Sequence, residues 1–237
     1  MSDVTLANLL DDAALYSFEH QLHLADVAGD RGWNVNLALG RFTLTGAQPI
    51  ECERMHLLGS AAPGPASWLW GWGNPAGYPE LVTGLSQRVR EFGIRYGISE
   101  LADADVPFAA LPGAPDRVED VVSLFMDAAK AISGVWTGYN GPVGGGTRAA
   151  FLIEHPSFAL PAPFAPRVAR VIQQGLTEFA ITDRRRALHA YANHRGLDIA
   201  WSPDHTTATV TGPGIAGDIT FDEMARTTGM NLRMGGE

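Results

Sequence analysis

Trp68, Trp70 and Trp72 stand two residues apart in the run Ser67-Trp68-Leu69-Trp70-Gly71-Trp72-Gly73-Asn74-Pro75, and no other stretch restricts the fold as much. A spacing of two is that of a β-strand, whose successive side chains point to opposite faces. The spacing thus puts three indoles on one face and Leu69, Gly71 and Gly73 on the other, where the nearly bare backbone lets a helix or strand approach closely. Such a stripe is either core, joined by Trp33 and Trp136, or a surface that stacks on a ligand and offers indole N–H donors. The second use singles out Trp68, Trp70, Trp72, Asn74 at the strand exit and Trp33 upstream as candidate ligand-binding residues.

The flanking pattern is mixed. Leu6, Leu10, Ala13, Ser17, His20 and Leu24 recur at helical spacing over Thr5 to Ala28. Alternating apolar residues mark strands at Trp33–Leu37 and Arg41–Thr45, and a third, more polar one runs from Ile50 to Leu57. Pro63-Gly64-Pro65 turns the chain into the tryptophan strand, read as the central strand, and Asn74-Pro75 takes it out. A helix follows from about Glu80 to Tyr96, with Leu81, Leu85, Val89, Phe92 and Tyr96 inward and Gly97 at its left-handed end. Asp116 and Glu119 have capping-box spacing before a helix that stops at Gly134.

Strands at Val135–Tyr139 and Arg148–Ile153 read as a hairpin around Gly144-Gly145-Gly146. Val168, Val171, Ile172, Leu176 and Phe179 mark another helix, and Asp183 caps a basic one from Arg184 to Arg195, closed by Gly196. From Leu197 the chain is β-rich, with Met230 to Glu237 read as frayed. The expected fold is α+β, a mostly antiparallel sheet with helices packed chiefly on one face. Residues 1–196 form the main domain and 197–237 a C-terminal β-hairpin appendage.

With 237 residues, 46% of them hydrophobic, the chain can bury a large core. A net charge of −9 weighs against nucleic acid or an anionic membrane surface as partner. No run approaches the ~18 apolar residues of a membrane span, and the start lacks signal-peptide character. Cys52 is the single cysteine, which excludes an intramolecular disulfide. A cytoplasmic protein is the expectation.

Motifs for chemistry are sparse. The Gly144–Gly146 loop lacks the Gly-Lys-Ser/Thr of a phosphate loop and reads as turn geometry. His20 and His23 lack further metal donors, and no metal or other cofactor is expected. His189 and His194, beside Arg184-Arg185-Arg186, read as a solvated basic helix face, with use by an anionic ligand or partner as the alternative. Cys52 lies between Glu51 and Glu53, whose charges oppose a thiolate, and no Gly-x-Ser-x-Gly elbow occurs. Glu154 and His155, being adjacent on a strand, face opposite ways.

Leu58-Gly59-Ser60 followed by Ser67-Trp68-Leu69-Trp70-Gly71-Trp72-Gly73-Asn74 resembles a family of uncharacterised bacterial proteins with a W-x-W-x-W-x-N signature, a domain of unknown function. The resemblance spans roughly residues 5 to 100, with Gly73 where members often carry Ala, and implies no activity. The element order is also similar to secretion-chaperone-like domains, which implies binding of protein segments and dimer formation. The leading expectation is a non-enzymatic cytoplasmic binding or protein-interaction module, with a protein or small-molecule partner and homodimerisation. The alternative is an enzyme on a small molecule near Trp70, Trp72 and Asn74, with His20, Glu154 or His155 as acid or base.

Overall fold

The computed structural model describes residues 4–234, and these form an α+β protein with six α-helices and three antiparallel sheets. The chain divides into two compact units. One contains the chain up to Leu9 together with His23–Ala159; the other contains Leu10–Leu22 and the chain from Leu160 onward. Helix α1 (Leu6–Ala28) belongs to both. It opens with a reciprocal cap, Thr5 and Asn8 each accepting the other's backbone N–H at 3.2 Å.

The first unit holds two sheets. Strands β1 (Trp33–Asn36), β2 (Arg41–Leu44) and β3 (Ile50–Glu51) form a small one in that order. The larger sheet contains β4 (Arg54–Ala62), β5 (Ser67–Trp70), β6 (Asp105–Pro107), β7 (Gly138–Gly144) and β8 (Thr147–Glu154), ordered β6-β5-β4-β8-β7. Its centre is therefore β4 and not the tryptophan strand, which lies one place from the edge. The nine-residue β4 carries the longest pairing, and β7 and β8 form the hairpin expected around the glycine loop.

Alternation gives the larger sheet two apolar faces. Met55, Leu57, Ala149, Phe151 and Ile153 share one core with Phe42 and Leu44 of the small sheet and with Leu24 and Ala28 of α1. Trp68 and Trp70 pair with Ala61 and Gly59, and Gly59 in turn faces Ala150, so these indoles lie on the face opposite Phe151. There they meet Phe125 of α4 (Val118–Ser133), Trp68 stacked at 4.6 Å and Trp70 edge-on at 5.1 Å.

The strand ends at Trp70. Gly71–Gly73 turn as a 3-10 helix, which takes Trp72 out of the alternating row. The turn seats Gly71 close against β4, where a side chain would not fit: a Cβ on Gly71 would lie 2.9 Å from the Leu57 carbonyl oxygen.

Helix α2 (Glu80–Tyr96) has the expected limits and Gly97 in the left-handed region, but is rotated from the expected stripe. Val82, Leu85, Ser86, Val89 and Gly93 are buried, whereas Leu81 is 67% exposed. Gly93 sets the rotation: a Cβ there would stand 2.7 Å from Leu101 of the short helix α3 (Ser99–Ala102), so this glycine is the contact point. The Asp116–Glu119 capping box is not formed. Arg117 is the N-cap without a side-chain bond, and Glu119 instead lies 3.9 Å from Arg148.

In the second unit, β9 (Asp198–Trp201), β10 (Thr207–Gly212), β11 (Ile215–Phe221) and β12 (Thr227–Met234) form a meander ordered β12-β11-β10-β9. Helices α5 (Ala165–Glu178) and α6 (Arg184–Arg195) share its core: Leu15, Val168, Ile172, Leu176, Leu188, Tyr191, Val210, Ile219 and Phe221 form one cluster. The tail from 197 is thus no separate appendage. The break falls at 160, because an amphipathic meander needs these helices to cover its apolar face. Met230–Met234 are part of β12 and not frayed, while 235–237 lie outside the described residues.

Candidate functional site

The small sheet presents a clean division. Trp33, Val35, Phe42 and Leu44 face the core, and Trp33 lies flat over Gly141 within an aromatic group completed by Phe42, Tyr139 and Phe151. The residues between them point outward, Asn34 paired with Thr43, Asn36 with Arg41, and Thr43 with Glu51. Along this face runs a groove of about 610 Å³, which Glu53, Arg54, His56, Cys52, Leu39 and Leu81 also line. Its chemistry is amide, hydroxyl and charge of both signs, with Arg41 and Arg54 beside Glu51 and Glu53.

His56 brings a second polar pair to the groove. Its Nε2 lies 2.9 Å from Glu154 Oε1, across a register in which Arg54 faces Glu154. A carboxylate on one ring nitrogen fixes the imidazole's orientation and leaves the other nitrogen for a ligand. The thiol that lines the same groove is not an activated nucleophile. Cys52 packs partly against the core, and burial pushes its thiol up to about 12, far from the thiolate that nucleophilic catalysis needs.

The five residues singled out from the sequence are not brought together. Trp68 and Trp70 are both 0% exposed and have no ring surface to offer a ligand; Trp70 also donates its indole N–H to the Glu100 carbonyl at 3.0 Å. Their core role follows from Phe125, which fills the space in front of both rings. Trp72 is half-buried with the Arg90 guanidinium 4.4 Å above its ring. Asn74 accepts the Ala76 N–H at 2.9 Å and so caps the turn at Pro75. Trp33 supports the small sheet from beneath, on the other side of the larger sheet from Trp68 and Trp70.

Other candidates also have structural partners. His155 pairs with Ser157 Oγ at 2.7 Å and caps the turn at Pro156, and His23 donates to the Ser157 carbonyl at 3.0 Å. His20 is buried in the second unit. On α6, His194 stacks on Tyr16 at 4.7 Å and Arg186 bonds Asp12, so this face is used for packing on α1. Among the described residues no group of three or more His, Cys, Asp or Glu is placed to hold a metal ion, and no helix is long and apolar enough to cross a membrane.

The sequence reading missed the groove. Alternation of Asn34, Asn36, Arg41 and Thr43 marked a polar face, but His56 and Glu154 are 98 positions apart, and no local signal joins them. No curated protein and no solved structure matches the chain. Residues 7–156, which include both sheets of the first unit and every residue of the groove, match a family of unknown function, and the chain belongs to that family, DUF6882.

Proposed function

We propose that the protein is a non-enzymatic binding module, and that its recognition surface is the groove over the outward face of β1–β3. The carrying observation is that row of Asn34, Asn36, Arg41, Thr43 and Glu51, five polar side chains held at strand spacing beside an oriented His56–Glu154 pair. A rigid sheet face with donors, acceptors and both charges suits a small polar molecule or a short extended protein segment. In this reading the tryptophan strand is scaffold: Trp68 and Trp70 fix α4 to the sheet, Trp33 carries β1, and Trp72 and Asn74 shape the exit turn. The net charge of −9 argues against nucleic acid or an anionic membrane surface as the partner.

The test pairs a thermal-shift screen of polar metabolites with a pull-down, each repeated on Arg41→Ala and Asn34→Ala. A ligand or partner bound by the wild type and lost in both variants is expected; retention in both sinks the assignment of the groove. An enzymatic reading has one observation behind it, the same His56–Glu154 pair, which would supply the acid–base group in place of His20 or His155. Hydrolytic or isomerase turnover abolished by His56→Gln would favour it.

A further inference from the structure

A second cleft, of about 450 Å³, lies within the second unit between α5 and β12. It is lined by Gln173 and Thr177 of α5, Arg184 at the start of α6, Arg226 just before β12, and Thr227 and Thr228 at its start, with Leu176, Gly229 and Met230 completing it. Two cationic side chains line it and no acidic one does, in a chain whose net charge is −9. We propose that this cleft binds the oxyanion group, phosphate or carboxylate, of a small molecule.

Three features carry the assignment. Arg184 is half-buried, and its Nε donates to the Leu176 carbonyl at 2.8 Å, which fixes the guanidinium plane while leaving its two terminal nitrogens for a second acceptor. Thr227 Oγ1 is buried without a hydrogen-bond partner in the cleft wall, and a rotation of its side chain would bring this unsatisfied hydroxyl to a bound oxyanion. Arg226 is exposed, and its Nε donates to Asp222 at 2.7 Å, which offsets part of its charge and leaves its terminal nitrogens to a ligand. Thr228 bonds Thr220 Oγ1 and Thr177 bonds the Gln173 carbonyl; these two hydroxyls are already engaged, leaving the two arginines, Arg184 foremost, as the principal donors.

A cleft of this size exceeds what a lone phosphate needs and matches the range of small-molecule sites, so the anion would be the head of a larger ligand. The site lies outside residues 7–156, and it stands or falls independently of the groove in the first unit.

The experiment is a titration of the full chain, followed by backbone amide NMR, with inorganic phosphate and separately with succinate, against chloride at matched ionic strength. Saturable shifts confined to residues 173–177 and 226–230 are expected at millimolar concentrations. Phosphate alone producing them identifies a phosphoryl ligand, and succinate alone a carboxylate. Arg184→Gln should weaken binding at least about tenfold, the worth of a charge-assisted hydrogen bond, and Thr227→Val by a smaller factor. Arg226→Gln, which leaves the Leu176 contact untouched, serves as the second charge variant and should also weaken binding. Shifts with neither anion, or shifts unchanged in both arginine variants, overturn the proposal.

Discussion

Glu19 Oε2 and Arg195 Nε stand 3.0 Å apart with side chains only 3% and 7% exposed. The Tyr191 hydroxyl donates to the same carboxylate oxygen at 2.9 Å, and Arg195 also donates to the Pro161 carbonyl at 3.0 Å. The Arg195 Nε–H is not aimed along the line to Glu19, so the contact is an ion pair rather than a well-formed hydrogen bond. Removing one partner of such a pair leaves a buried charge uncompensated. Glu19→Ala should destabilise the second unit by about 3–5 kcal/mol, and Glu19→Leu with Arg195→Met by much less. Denaturant melts followed at Trp201 would show this ordering, and equal losses in the two variants would contradict it.

The stability of the second unit should fall as pH drops from about 7 to 5, in part through His194. His194 is still exposed at one side, but partial burial, its ring stacked on Tyr16, lowers its pKa from 6.5, with Asp12 opposing. The fold therefore favours neutral imidazole. Its contribution is fully present above 6.5 and is lost as pH falls through that value, because the unfolded chain takes up the proton first. The difference between wild type and His194→Gln isolates this slope from those of the carboxylates; parallel curves would leave His194 with no part in it.

Gly59 is where β4 lets the tryptophan strand close. A Cβ there would meet the Leu69 carbonyl and lie 2.7 Å from Trp68 Cζ2, and Trp68 is fixed by Phe125. Gly59→Ala should cost about 1–3 kcal/mol despite alanine's better fit to a strand, since overpacking outweighs the backbone gain. A melting temperature at or above wild type would show that the ring can yield.

Cys52 should resist alkylation. With the thiol at about 12 instead of 9.0, the reactive thiolate is scarce at pH 8, and modification by iodoacetamide should run at least about tenfold slower than in the denatured chain. Rates that match with and without denaturant would place the thiol in open solvent.

What could be read in advance was local. Helix α6 was legible to the residue, because Asp183 caps it through the Arg185 and Arg186 amides and Gly196 ends it in the left-handed region, all within the segment itself. Wherever a distant residue decided, the reading slipped. The indole row stopped at Trp70, where Gly71 seats tightly on Leu57, α2 presents Gly93 to Leu101, and the Asp116 cap is absent with Glu119 near Arg148. The groove combined both cases: its polar alternation was visible, while the curl that sets β1–β3 beside His56 depends on pairings no local pattern encodes.

The division of α1 between two units has a consequence for the order in which the chain can fold. Leu15 leaves the ribosome early, yet the glycine it presses on, Gly175, emerges on the order of 160 residues later, a wait of roughly ten to thirty seconds at ordinary synthesis rates. Late in that interval, once Glu154 has emerged, the first unit has all of its own strands while the middle of its first helix still lacks its intended cover. A chain stopped near residue 160 would keep the family region entire and carry that bare helical band for good. Its expected failing is self-association, although nothing in the region itself has been altered.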